Sequence, residues 1–147
     1  MNEPKKIIIH HGAEVDSPKL EWGQIRRYHM MTTPEKPAYI DIGYHAGVEL
    51  VNDQYEILMG RNWFWSGAHC VGQNNQSLGF CFVGNFNLNE PTDGMLITGA
   101  RFITIWMRLF KIPILEILPH RFFEATDCPG KKFPMDRLIH IIEERFI

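Results

Sequence analysis

The stretch Lys5-Lys6-Ile7-Ile8-Ile9-His10-His11, stopped by Gly12, governs how the rest of the chain is read. Three consecutive β-branched isoleucines between charged residues and a glycine read as a short buried strand. Two-residue alternation turns Ile8 and His10 to one face and Ile7, Ile9 and His11 to the other. The strand therefore combines core-forming residues with a polar end at which only one imidazole faces each side.

Working outward, Leu20, Trp22, Ile25, Tyr28 and His29 recur at near-helical spacing, with Ser17 placed as an N-cap and Pro18 at the first helical position. This predicts a helix from Pro18 to Met31, ended by Pro34 and Pro37. Gly43 to Val51 and Tyr55 to Met59 read as two strands joined by a tight turn at Asn52-Asp53-Gln54. Gly60 to Ser77, rich in Gly and Asn with two tryptophans, reads as a long structured loop, the kind of segment that carries function. Leu78 to Gly84 returns as an apolar strand. The stripe Leu96, Ile97, Ala100, Ile103, Thr104 and Met107 predicts a helix over Asp93 to Phe110. Ile112 to Leu118 reads as a further strand, and Met135, Leu138, Ile139, Ile142 and Phe146 mark a C-terminal helix entered at Pro134. No repeat or low-complexity linker interrupts this order. Strands mixed with three helices around one sheet imply a single α/β or α+β domain covering residues 1–147.

Composition supports one core and excludes several classes of partner. The chain has 147 residues, about one domain's worth, and its 45% hydrophobic content is too apolar for a disordered chain. Fifteen Lys plus Arg against seventeen Asp plus Glu give a net charge of −2 with no long like-charge run, which removes the electrostatic grip that nucleic acid needs. No stretch approaches a membrane span, so no membrane insertion is expected. Met1-Asn2-Glu3-Pro4-Lys5-Lys6 before three isoleucines is too short for a secretory signal, which points to a protein made in the cytoplasm. Cys70, Cys81 and Cys128 are odd in number and widely spaced, against a disulfide framework or an all-cysteine zinc knuckle. A monomer is the expected state.

Three residues offer metal-type donors at strand ends or loops: His10, His120 and Cys128. Imidazole nitrogen and thiolate sulfur suit Zn²⁺, and three protein ligands leave a fourth position open, as in catalytic sites. By spacing alone each reads more readily as a polar residue with a local hydrogen bond than as a zinc ligand.

Four blocks, in order, decide between these readings. They are Ile7-Ile8-Ile9-His10-His11; Asp41-Ile42-Gly43-Tyr44-His45; Gly67-Ala68-His69 leading to Asn74-Asn75-Gln76-Ser77-Leu78-Gly79-Phe80-Cys81-Phe82-Val83-Gly84-Asn85-Phe86; and Pro119-His120-Arg121 followed by Thr126-Asp127-Cys128-Pro129-Gly130. Through them the chain resembles the zinc-dependent type 2 N-acetylmuramoyl-L-alanine amidases, which share a fold with peptidoglycan recognition proteins and include the phage lysozyme-type endolysins. The resemblance implies a central mixed sheet flanked by helices, a zinc cofactor held by His10, His120 and Cys128, and a catalytic tyrosine at Tyr44, with His11 a neighbour and not a ligand.

The chain also departs from the family. Thr126 stands where some members carry a lysine; its hydroxyl can donate to an oxyanion but brings no charge. Cys81 stands where some cytosolic recycling members use a glutamate. Phe122 and Phe123 follow Arg121 where an acidic residue is common, so a carboxylate supporting the metal ligands must come from elsewhere or be absent. His45, His69, Asn74, Trp63 and Trp65 are the expected substrate-groove residues, with buried structural roles the alternative for the two histidines and a core cap for the tryptophans.

The implied activity is cleavage of the amide joining the lactyl group of N-acetylmuramic acid to L-alanine in peptidoglycan. Tyr44 would hydrogen-bond the attacking water or the oxyanion, and Thr126 would support the oxyanion. The protein would be an endolysin acting on the bacterial cell wall. The alternatives are a module that binds muropeptides without cleaving them and a cytosolic enzyme that recycles soluble fragments.

Overall fold

The computed structural model describes residues 1–12 and 21–147. Its strands are β1 Lys6–His11, β2 Ala46–Val51, β3 Gln54–Met59, β4 Ser77–Phe82 and β5 Ile117–Pro119, and its α-helices are α1 Trp22–His29, α2 Asp93–Phe110 and α3 Met135–Phe146. The strands form one mixed sheet in the order β3-β2-β4-β1-β5. β1 pairs in parallel with both β4 and β5, β2 pairs in parallel with β4, and β3 hangs antiparallel on β2. An interior parallel strand is covered on both faces, which is why β1 is a continuous isoleucine run. The β2–β3 turn places Asn52 and Asp53 at φ 49° and 65°, the left-handed pair of a type I′ hairpin.

The two faces of the sheet differ in thickness. Ile7, Ile9, Val48, Leu78, Phe80 and Phe82 point to one side, where Leu96, Ile103 and Trp106 of α2 and Leu138 and Ile142 of α3 complete the main core. Each such fully buried side chain contributes about 1.5–3 kcal/mol of transfer free energy. The other face carries Cys81 and, above it, Trp22 and Ile25 of α1 with Ile42 and Val83. Glycines let rings lie close to the backbone there: a Cβ on Gly47 would sit 2.5 Å from the Trp22 ring, and one on Gly79 2.7 Å from the His69 ring.

Several boundaries differ from the sequence reading. α1 starts at Trp22 with Glu21 and Gln24 forming a capping box, while the expected start at Ser17-Pro18 lies outside the described residues. β4 starts at Ser77 and stops at Phe82, short of Gly84. The expected strand Ile112–Leu118 is largely a correction: after Lys111 closes α2 in the left-handed conformation, Ile114–Glu116 form a 3-10 turn and only Ile117–Pro119 pair. The apolar run misleads because these residues turn the chain from α2 to the sheet edge, leaving Leu115 84% exposed. The span of α2 agrees with its sequence reading.

The 60–76 loop is held at several points. The buried Arg61 guanidinium donates to the carbonyls of Asp41, Ile42 and Ser66, and the buried Asn2 amide donates to those of Trp63 and Ser77. These bonds tie the loop to the segment before β1, to the start of β4 and to the 41–42 segment. Among the described residues no helix is long and apolar enough to cross a membrane.

Two glycines should respond to alanine with opposite signs. Gly47→Ala is expected to destabilise the protein by about 1–3 kcal/mol, because the new methyl meets both the Trp22 ring and the Cys81 carbonyl. Gly23→Ala, in α1 with only the Arg27 side chain at 3.6 Å, should be neutral or stabilising by up to about 1 kcal/mol. Urea unfolding of the two variants measures both.

Candidate functional site

β1, β4 and β5 run parallel, and the site lies beyond their C-terminal ends, where open α/β sheets place ligands. The register pairs Ile9 with Pro119, so the next residues, His10 and His120, come abreast with ring centroids 4.6 Å apart. Cys128 returns to the same place through a turn in which the Arg121 N–H donates to the Cys128 carbonyl and the Cys128 N–H donates to the Thr126 hydroxyl oxygen. Cys128 Sγ stands 3.6 Å from His10 Nδ1, and one donor atom from each of His10, His120 and Cys128 lies within 4.8 Å of the others. Nitrogen and sulfur on one tetrahedral zinc would stand about 3.6 Å apart, given bond lengths of about 2.05 and 2.3 Å, so this donor set fits that ion.

The hydrogen bonds assign the His10 tautomer. The Ser77 hydroxyl donates to the Gln73 carbonyl at 2.7 Å, leaving its oxygen to accept from His69 Nε2 at 3.3 Å. His69 Nδ1 is then the acceptor of the 2.8 Å bond from His10 Nε2. His10 Nδ1 is left as a bare lone pair facing Cys128. Burial, with the neighbouring His69 and His120, holds the His10 pKa well below its ordinary value, so the ring is neutral at pH 7. Burial likewise pushes the Cys128 thiol up to about 12, against the His11 N–H and Arg121, which favour the thiolate. The site gathers nitrogen and sulfur donors of the kind a soft or borderline cation prefers.

The adjoining cleft is lined by His10, Tyr44, His69, Asn74 and His120 among the expected residues, and by His29, Tyr39, Cys70 and Glu124. Tyr44 is half-buried with its ring 4.9 Å from that of His10 and 5.2 Å from that of His29. Asn74 reaches the cleft, but its Oδ1 is committed to the N–H groups of His69 and Cys70. Thr126 is exposed at the Cys128 turn. His11 faces away and accepts the Phe86 N–H.

Three groove expectations require correction. His45 is fully buried: Nδ1 accepts the Gly79 N–H and Nε2 donates to the Trp65 carbonyl, so both nitrogens brace β4 against the loop. Trp63 packs on the α2 side against Trp106, Phe102 and Phe110, because the loop passes over the core before it reaches the site. Trp65 is exposed outside the cleft lining and contributes its carbonyl to His45.

The sequence reading missed His29, Cys70 and Glu124. His29 Nδ1 accepts the Gly43 N–H and so supports the segment bearing Tyr44. Burial lowers its pKa to about 4. Glu124 hydrogen-bonds His120 Nε2, and its signal was the four-residue spacing from His120.

With this geometry established, comparison places the chain among known proteins. Residues 1–131 match the family model described as N-acetylmuramoyl-L-alanine amidase. The human N-acetylmuramoyl-L-alanine amidase is 35% identical over 109 residues, 72% of this chain and 18% of that protein. Peptidoglycan-recognition protein 2 of Holotrichia diomphalia is 30% identical over 132 residues, 86% of this chain and 67% of that one. Against the first of these relatives, then, the chain spans only a small part of the whole protein. Among solved structures, the endolysin amidase LysCS from Clostridium intestinale superposes with a TM-score of 0.75 at 26% identity, covering 97% of this chain and 85% of its own. Drosophila PGRP-LB in complex with tracheal cytotoxin gives 0.73 at 24%, covering 92% and 80%. A match over residues 1–131, together with the shared fold, means that the chain belongs to the N-acetylmuramoyl-L-alanine amidase family.

Proposed function

We propose that this chain is a zinc-dependent peptidoglycan hydrolase that cuts the amide between N-acetylmuramic acid and L-alanine. Residues 1–147 act as one catalytic domain and as a monomer, and the cellular role is that of an endolysin made in the cytoplasm and acting on the bacterial wall. The observation that carries this reading is the donor set of His10, His120 and Cys128, with its 3.6 Å nitrogen to sulfur spacing, at the base of a cleft that holds Tyr44. Family membership supports the bond cleaved, and the tracheal cytotoxin complex of the PGRP-LB structure supports a muropeptide as the bound moiety.

Zinc in this site supplies Lewis acidity and lowers the pKa of water toward neutrality. The protein's own contribution is to present two imidazoles and a sulfur in fixed geometry. His69 holds the His10 ring through Nε2, and the Thr126 hydroxyl holds the backbone of Cys128 while keeping its own O–H free to donate. In this reading Tyr44 donates its phenol to the attacking water or to the scissile carbonyl oxygen as that oxygen gains negative charge, a contact worth about 2–4 kcal/mol if made only in the transition state.

Purified protein should hold about one zinc per chain, and Cys128→Ser should lose most of it, since a hydroxyl is a poor replacement for a thiolate. Metal analysis after dialysis measures this, and full occupancy in the variant would remove Cys128 from the ligand set. Digestion of peptidoglycan should release new L-alanine amino termini without new reducing sugar ends. The opposite pattern would mean glycosidase chemistry, which needs a pair of carboxylates flanking the sugar. Parallel assays on sacculi and soluble muropeptides separate a lytic from a recycling role.

Tyr44→Phe keeps the ring and removes one hydroxyl. It should preserve zinc content and KM while lowering kcat about a hundredfold or more. A parallel loss of substrate affinity would make Tyr44 a groove residue instead.

A further inference from the structure

The two histidines of the donor set are braced differently. His10 leans on His69, whereas His120 Nε2 meets the carboxylate of Glu124, four residues on across the 3-10 turn His120–Phe122. That carboxylate is itself held on several sides. Its Oε2 accepts the Val71 N–H at 3.2 Å, and the Cys70 sulfur lies within 4.8 Å of the carboxylate. Burial, aided by Glu124, pushes the Cys70 thiol up to about 12, which keeps the S–H available as a donor. Glu124 thus ties the β5 end of the site to the 60–76 loop. It is also the carboxylate missing from the positions directly after Arg121.

We propose that Glu124 is a positioning residue for the metal. It fixes the proton of His120 on Nε2, so that Nδ1 is the unprotonated nitrogen turned toward His10 and Cys128, and the Val71 N–H holds the carboxylate in place. A carboxylate on the far nitrogen of a ligating imidazole sets its tautomer, locks its orientation and raises its basicity, and loss of such a partner costs about 10–100-fold in metal affinity. This inference rests on the zinc reading above. A second possibility, that Cys70, His120 and Glu124 themselves hold another ion, is suggested by their donor atoms lying within 4.8 Å of one another. It predicts a different stoichiometry.

The test is a zinc titration against a competing chelator on wild type, Glu124→Ala, Glu124→Gln and Cys128→Ser, with melting of each metal-free protein and the ring ¹⁵N spectrum of His120. Glu124→Ala is expected to bind zinc about 10–100-fold more weakly, with metal-free melting within about 3 °C of wild type. Glu124→Gln, whose amide oxygen still accepts the Nε2 proton, should recover most of the affinity. Metal-free wild type should show His120 protonated at Nε2, and Glu124→Ala a mixture of tautomers. Wild-type affinity in Glu124→Ala while Cys128→Ser loses zinc would overturn the role of Glu124 and leave the zinc site intact. An Nδ1-protonated His120 in wild type would overturn it as well. Two ions per wild-type chain and one in Glu124→Ala would make Glu124 a ligand and not a positioning residue. Undiminished zinc in Cys128→Ser would overturn the zinc reading, and this inference with it.

Discussion

Most of this structure depends on the burial of β1 between β4 and β5 in parallel register. The strand has no free edge, so its alternation is enforced from both sides: Ile7 and Ile9 enter the core under α2 and α3, and His10 is forced to the opposite face. The same register sets His10 beside Cys81 on one flank and beside the start of the His120 turn on the other. A slip of one residue would send His10 into the apolar core and aim His11 at the cleft. The position of the site thus follows from hydrophobic burial some distance from it.

Local periodicity made much of this legible. β1, the β2–β3 hairpin, α2 and α3 were readable because each has a pattern contained in its own residues. Ile112–Leu118 was not, because an apolar run does not reveal whether it pairs or turns, and here α2 and the sheet edge decide. The same limit explains Trp63 and His45. Both sit at the site's margins in sequence, but the direction of a loop side chain is set by what the loop crosses, and no two- or four-residue period encodes that.

The convergence of His10 with Cys128 was likewise invisible to spacing, since 118 residues separate them. The ordered family blocks connect them where spacing does not. Glu124 shows the reverse case. Phe122 and Phe123 stand where the family commonly has an acidic residue, whereas a 3-10 turn brings the fourth residue after His120 back to its ring. The thin face of the sheet is a further constraint that composition conceals. Gly47 and Gly79 look like weak points in strands, yet they are the clearances into which Trp22 and His69 fit.

The hydrogen-bond chain from His10 through His69 and Ser77 ends on the Gln73 carbonyl oxygen, a group with no proton to give and none it can pass on. It is a blind alley, not a wire. Along this chain, among the described residues, His10 gains rigidity and no onward path for a proton, so His10 is suited to holding its place. The open side of the cleft, past Tyr44, His29 and Tyr39, is where protons can be exchanged with solvent. The floor of the cleft sets geometry, while its mouth sets chemistry.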